Sequence, residues 1–174
     1  IQERVLQPTV DGMATRGTPY KGVLYAGLML TAEGFKVLEF NCRFGDPETQ
    51  VVLPMLENDL AALMMACIDG RLHLEEIKRR SGSCATVVMA SPGYPSSYPK
   101  GLPISGIEEA NRIKDVIVFQ AGTRENEGVT ETNGGRVLAV SAFGDTLEHA
   151  VNHAYDGIGK IKFADAHYRT DIGR

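Results

Sequence analysis

Residues 35–42, Phe-Lys-Val-Leu-Glu-Phe-Asn-Cys, follow the apolar run at residues 22–31 after only Ala32, Glu33 and Gly34. A connection that short makes the two runs an antiparallel hairpin, because a parallel crossover needs a dozen or more residues. The first run is continuous in apolar character and is expected to be covered on both faces. In the second, strand alternation places Leu38, Phe40 and Cys42 on one face, toward a core, and Val37, Glu39 and Asn41 on the other. A carboxylate and an amide then project side by side.

Upstream, Pro8, Gly12, Gly17 and Pro19 punctuate the chain, so a helix containing Ile1, Val5 and Leu6 is expected to end there. Downstream, residues 48–55 read as helical until Pro54 interferes. Asn58 or Asp59 caps a helix whose Leu60, Leu63, Met64, Cys67 and Ile68 share helical spacing until Gly70. Met55, Met64 and Met65 read as core filler. Residues 71–83 are charged and irregular, which marks a boundary between two structural units. Beyond it, residues 84–90, 116–121 and 136–142 read as strands, with Asn133 and Gly134 as hairpin-turn residues and Asp145 capping a final helix. The expected fold class is α+β.

Composition removes several functions. Apolar residues make up 43% and charged residues 23%, so the chain can bury a core and is not disordered. Its longest wholly apolar run, at residues 60–68, is far short of the roughly 20 residues that span a bilayer as a helix. Lys and Arg total 18 against 22 Asp and Glu, with no basic run longer than Lys78-Arg79-Arg80, so a nucleic-acid partner is not expected. Three cysteines, Cys42, Cys67 and Cys84, lie in apolar stretches without Cys-x-x-Cys spacing, which suits buried thiols in a reducing, cytoplasmic compartment. The chain opens at Ile1 rather than Met, and reads as a piece of a longer polypeptide.

Chemistry concentrates in residues 38–50, Leu-Glu-Phe-Asn-Cys-Arg-Phe-Gly-Asp-Pro-Glu-Thr-Gln, where a strand runs out into a loop. Glu39 and Asn41 are either a solvated strand face or a pair of oxygen ligands for Mg²⁺, whose other positions go to phosphate and water. Arg43 either clamps a transferring phosphoryl group or pairs with Asp46 or Glu48. Asp46 and Glu48 either hold an ammonium group or cap the next helix. Asn133-Gly134-Gly135 lacks the Lys and Ser/Thr of a phosphate-binding P-loop and reads as a turn. His149 and His153, without a third ligand, read as surface residues.

This run resembles the glycinamide ribonucleotide synthetases, also called phosphoribosylamine-glycine ligases, which are ATP-grasp enzymes of purine biosynthesis. The resemblance extends from Gln7-Pro8-Thr9-Val10-Asp11-Gly12-Met13 through Tyr25-Ala26-Gly27-Leu28-Met29-Leu30 to Asn133-Gly134-Gly135-Arg136-Val137-Leu138 and Tyr168-Arg169-Thr170-Asp171-Ile172-Gly173. It covers the whole chain. It implies the end of an ATP-grasp domain at residues 1–72, a linker at 73–83 and the family's small C-terminal α+β domain at 84–174. It also implies Glu39 and Asn41 as ligands of Mg²⁺ or Mn²⁺, and a reaction that joins glycine to 5-phosphoribosylamine through glycyl phosphate made from ATP. The N-terminal part of such an enzyme is a further implied partner. Many other ATP-grasp enzymes carry an acidic ligand on the preceding strand, but here that strand reads Val23-Leu24-Tyr25-Ala26-Gly27. Two alternatives accompany this reading: a noncatalytic packing module, or an ATP-grasp ligase for another carboxylate and amine. The 174 residues alone are expected to be inactive as a ligase.

Overall fold

The structure, a computed structural model, describes residues 1–173. The chain forms two compact units, one made of residues 1–49 and 56–79, the other of residues 50–55 and 80–174.

In the first unit a π-helical stretch, Gln2–Leu6, runs straight into α1, Gln7–Thr15. The helix therefore continues past Pro8 and Gly12, where the sequence reading ended it, and Pro8 falls where the π-helical stretch passes into the α-helix. It stops at Gly17, whose φ of 77° lets the amide of Thr18 reach the Met13 carbonyl at 3.1 Å and its own amide reach Ala14 at 2.9 Å. The hairpin follows as β1, Tyr25–Thr31, and β2, Gly34–Asn41.

Its register is not continuous. Leu28 pairs with Val37 but Gly27 pairs with Glu39, so Leu38 is a bulge residue without a cross-strand partner. The bulge moves Val37 to the face of Leu28 and Phe40, away from Glu39 and Asn41, which corrects the simple alternation. The ribbon has only two strands, so no further strand or layer of its own sheet shields it. Leu30 is 82% exposed and Leu38 64%, and Phe40 and Cys42 are exposed as well; neither the doubly covered strand nor the Leu38/Phe40 core face is found. Four-residue α2, Thr49–Val52, leads out of the loop after β2. In α3, Leu60–Ile68, Asp59 is the cap, accepting from the Ala62 amide at 3.0 Å. Asn58 instead accepts from the Lys78 amide at 2.6 Å and donates to the Glu76 carbonyl at 2.9 Å. Met64 and Met65 are exposed rather than core residues, while Met55 is buried.

The second unit is built on an antiparallel sheet of β3, Ser83–Ala90, β4, Val116–Gln120, and β7, Arg136–Gly144, with β7 in the centre. Helix α4, Ile107–Asn111, precedes β4, and a separate ribbon of β5, Thr123–Asn126, and β6, Val129–Thr132, lies between β4 and β7 in sequence. The left-handed hairpin turn is at Glu127 and Gly128, not at Asn133-Gly134. Gly134 has a different role: its backbone passes so close to Gly122 that neither position has room for a Cβ. Helix α5, Leu147–Ile158, is capped by the Thr146 hydroxyl rather than by Asp145, and buries Ala150, Ala154 and Ile158. Val87, Met89, Val137, Val140 and Ala142 form one buried cluster with Ala154 and Ile158 of this helix and with Ile161 and Phe163.

Residues 50–55 belong with this unit for a visible reason. The Ser141 hydroxyl donates to the Gln50 carbonyl at 2.7 Å, and the Arg80 amide donates to the Met55 carbonyl at 2.8 Å. The division of the chain thus falls between Arg79 and Arg80, within the segment expected as a linker, and the short stretch after the motif loop groups with the second unit. The α+β expectation holds for both units. No described helix is long and apolar enough to cross a membrane.

Candidate functional site

The bulge at Leu38 decides which residues face Glu39 and Asn41. Counted from the Ala32-Glu33-Gly34 turn without interruption, these two would share a face with residues of the other parity on β1. With the bulge, Gly27 stands opposite Glu39 and Tyr25 opposite Asn41, and directly opposed residues of an antiparallel pair share a face. Gly27 leaves the Glu39 stem room to lie over β1, since a Cβ there would stand 3.0 Å from Glu39 Cγ. Asn41 Nδ2 donates to Glu39 Oε1 at 2.8 Å, so the carboxylate and the amide touch.

After Asn41 the chain turns into the loop. Arg43 donates to the Phe44 carbonyl at 2.8 Å, a main-chain contact that holds the guanidinium near the strand exit. Gly45 is buried, and a Cβ there would collide with the Glu48 carboxylate, which folds back over it. Thr49 fixes the start of this fold-back: its amide and its hydroxyl both donate to the Gly45 carbonyl, the amide at 2.9 Å. Glu48 Oε1 accepts from the Tyr25 hydroxyl at 3.0 Å, so Glu48 reaches β1 rather than the amides of α2. Asp46 is exposed in the same loop.

The electrostatics agree with this grouping. The hydrogen bond to Glu48 is the main cause that raises the Tyr25 hydroxyl pKa, with burial and the negative charges of Glu48 and Glu39 adding to it and Arg43 opposing. Tyr25 therefore senses Glu39, Arg43 and Glu48 together. Sequence reasoning singled out Glu39, Asn41, Arg43, Asp46 and Glu48 as neighbours in one strand and loop, but it missed Tyr25. The signal that finds it is the register of the hairpin, and the register depends on one bulge.

Among the described residues no group of three or more His, Cys, Asp and Glu is placed to hold a metal ion. The donor set at Glu39 and Asn41 is one carboxylate and one amide oxygen, which suits a hard divalent cation that takes the rest of its shell from substrate and water. His149 is exposed, as its surface reading expects, whereas His153 is half-buried, with its Nδ1 3.2 Å from the Phe143 carbonyl. A cavity of ≈ 470 Å³ lined by Leu147, Glu148, Val151, Asn152, Tyr155 and Gly173 gathers none of the motif residues.

Comparison with known proteins bears on the whole chain. Residues 1–49 match the phosphoribosylglycinamide synthetase ATP-grasp (A) domain, and residues 84–174 match the phosphoribosylglycinamide synthetase C domain. The phosphoribosylamine-glycine ligase of Synechocystis is 51% identical over 99% of this chain and 42% of its own length. The trifunctional purine biosynthetic protein adenosine-3 of Gallus gallus is 52% identical over 99% of this chain and 17% of its own length. The crystal structure of a phosphoribosylamine-glycine ligase from Thermotoga maritima superposes with a TM-score of 0.83 at 34% identity, covering 97% of this chain and 41% of that one. A biotin carboxylase domain from Hydrogenobacter thermophilus, 13% identical with a TM-score of 0.60 over 96% of this chain and 37% of that one, shares the fold alone. The chain thus spans well under half the length of these relatives. With one family's two domain descriptions falling in order along it, and the C-domain match alone spanning residues 84–174, the chain belongs to the phosphoribosylglycinamide synthetase family.

Proposed function

We propose that this chain forms the metal- and phosphoryl-handling edge of an ATP-dependent ligase that joins glycine to 5-phosphoribosylamine in de novo purine biosynthesis, in the cytoplasm. The observation that supports it most is the contact of Glu39 with Asn41 on one strand face that runs directly into the Arg43-to-Glu48 loop. Glu39 and Asn41 hold the divalent metal, Mg²⁺ or Mn²⁺. When bound, the metal screens phosphate charge and orients the nucleotide. Arg43 presents a planar guanidinium to the phosphoryl group in transfer, where two parallel hydrogen bonds stabilise the spread negative charge. Asp46 and Glu48 accept from the ammonium of glycine and so aim its carboxylate at ATP.

A carboxylate is a poor electrophile, so the reading requires that ATP first phosphorylate glycine. The amine of phosphoribosylamine then attacks the glycyl phosphate, the C–O bond breaks, and phosphate departs with one of the original carboxylate oxygens. In a full-length ligase carrying this segment, glycine labelled with ¹⁸O in its carboxylate should deliver one labelled oxygen to the released phosphate. Unlabelled phosphate alongside labelled product would rule the intermediate out. The reading of the 174 residues by themselves as a noncatalytic unit is favoured by the exposed apolar side chains of the first unit, Leu30, Leu38 and Phe40. ADP formation by the 174 residues in the presence of glycine and phosphoribosylamine would overturn it.

A further inference from the structure

We infer that Tyr25 is a positioning residue that acts through Glu48, holding that carboxylate in the one place from which it can receive the substrate ammonium. The inference rests on the reading of Glu48 given above and adds to it a residue on the other strand.

Four observations carry it. Glu48 is exposed and lies in a loop, where a free glutamate moves among several rotamers and the entropy of fixing it opposes binding. Tyr25 is half-buried on β1, and its cross-strand partner is Asn41, so its ring is set by the same ladder that sets the metal pair. Its hydroxyl donates to Glu48 Oε1 at 3.0 Å across 23 residues of sequence. Gly45 has no side chain to obstruct the fold-back, and Thr49 anchors the Gly45 carbonyl beneath it. A phenol has one proton to donate, and here it goes to Oε1. The second carboxylate oxygen and the lone pair of the phenol oxygen stay available as acceptors, which is what an ammonium with three donors requires. The pair also fixes the distance between the ammonium site and the Glu39/Asn41 face, because Tyr25 and Asn41 occupy one rung of the hairpin.

The test is a double-mutant cycle in a full-length ligase carrying this segment, with Tyr25→Phe, Glu48→Gln and the two combined, and with KM measured separately for glycine and ATP. A lost hydrogen bond to a charged but accessible group predicts a glycine KM about three- to tenfold higher in Tyr25→Phe. The ATP KM should stay within error, and Tyr25→Phe should cost clearly less in the Glu48→Gln background, where the amide oxygen still accepts from the hydroxyl but the charge that receives the ammonium is gone. An unchanged glycine KM in Tyr25→Phe, or an equal penalty in both backgrounds, overturns the inference. If Glu48→Gln itself leaves the glycine KM unchanged, the assignment of Glu48 falls as well, so the two failures are told apart. Should Tyr25→Phe lower the melting temperature, Glu48→Asp provides a second arm, since the shorter side chain withdraws the carboxylate from an intact tyrosine. A raised glycine KM is expected there, and an unchanged one is again fatal to the inference.

Discussion

Gly27 stands directly opposite Glu39 across the β1–β2 hairpin, and a Cβ at Gly27 would lie 3.0 Å from Glu39 Cγ. That clearance is tight but the obstructing atom is in a flexible side chain, so an alanine displaces Glu39 rather than the backbone. Gly27→Ala should therefore keep or slightly raise the melting temperature, because alanine restricts the unfolded chain more than glycine does. In a full-length ligase it should raise the metal concentration needed for half-maximal activity. A metal titration alongside a thermal melt checks both halves, and an unchanged titration would show that Glu39 has no fixed place to lose.

Glu39→Gln and Asn41→Ala bear on the metal pair itself. Both side chains are on the accessible ribbon face and neither fills a core, so thermal melts should shift by no more than a surface substitution does, within about 0.5 kcal/mol. Turnover dependent on divalent metal should fall roughly 100-fold, the scale expected when a preorganised charge-stabilising group is lost. Equal losses of stability and activity would mark Glu39 and Asn41 as a structural hydrogen-bonded pair.

The extent to which all this is legible in sequence differs from residue to residue. The hairpin was legible because Ala32-Glu33-Gly34 leaves no other connection, and a cap at Asn58 or Asp59 because a cap needs an oxygen at the helix start; both side chains carry one, so the choice of Asp59 was not legible. The partners of Glu39 were not, since a bulge at Leu38 costs one residue of register and no local signal in Val37-Leu38-Glu39 announces it. Asn133-Gly134 was misread for a related reason: the pair is suited to a left-handed turn, but the glycine serves close backbone approach to Gly122, and the turn is made at Glu127-Gly128. Exposure of Leu30, Leu38 and Phe40 was likewise invisible, because an apolar pattern reports what a strand can bury and not whether a layer is present to bury it.

In the second unit, Arg80 donates to Asp115 at 2.7 Å and lies 4.0 Å above the Phe143 ring. The hydrogen bond from Arg80 is the main cause that holds the Asp115 carboxyl below its ordinary value, although partial burial opposes it. A lowered folded-state pKa contributes stability that is present above the unfolded value, about 4, and is lost as pH falls through the folded value. Melting temperatures of the native chain should thus decline between about pH 4 and pH 2 more steeply than those of Asp115→Asn. Asparagine is the right replacement because Asp115 has φ 63°, a conformation that asparagine tolerates and alanine resists. Parallel pH profiles for the two proteins would show that the ion pair makes no net contribution.

Ser141 is fully buried in the middle of β7, the central strand, between apolar neighbours. Its Oγ lies 2.7 Å from the Gln50 carbonyl and 2.9 Å from the Thr86 hydroxyl on β3, its cross-strand partner. A polar group in that position is tolerable only because both contacts are made, and removing it takes the serine donor from Gln50 and a partner from Thr86. Ser141→Ala should cost about 1–3 kcal/mol, the usual penalty when a buried hydrogen bond loses one side, even though alanine fits the space. Replacing both partners, Ser141→Ala with Thr86→Val, should recover part of that loss, since Val fills the site of Thr86 without a hydroxyl that needs a partner. Denaturant unfolding of the two variants separates the outcomes: a single variant as stable as the native chain would mean that the Gln50 carbonyl does not depend on Ser141.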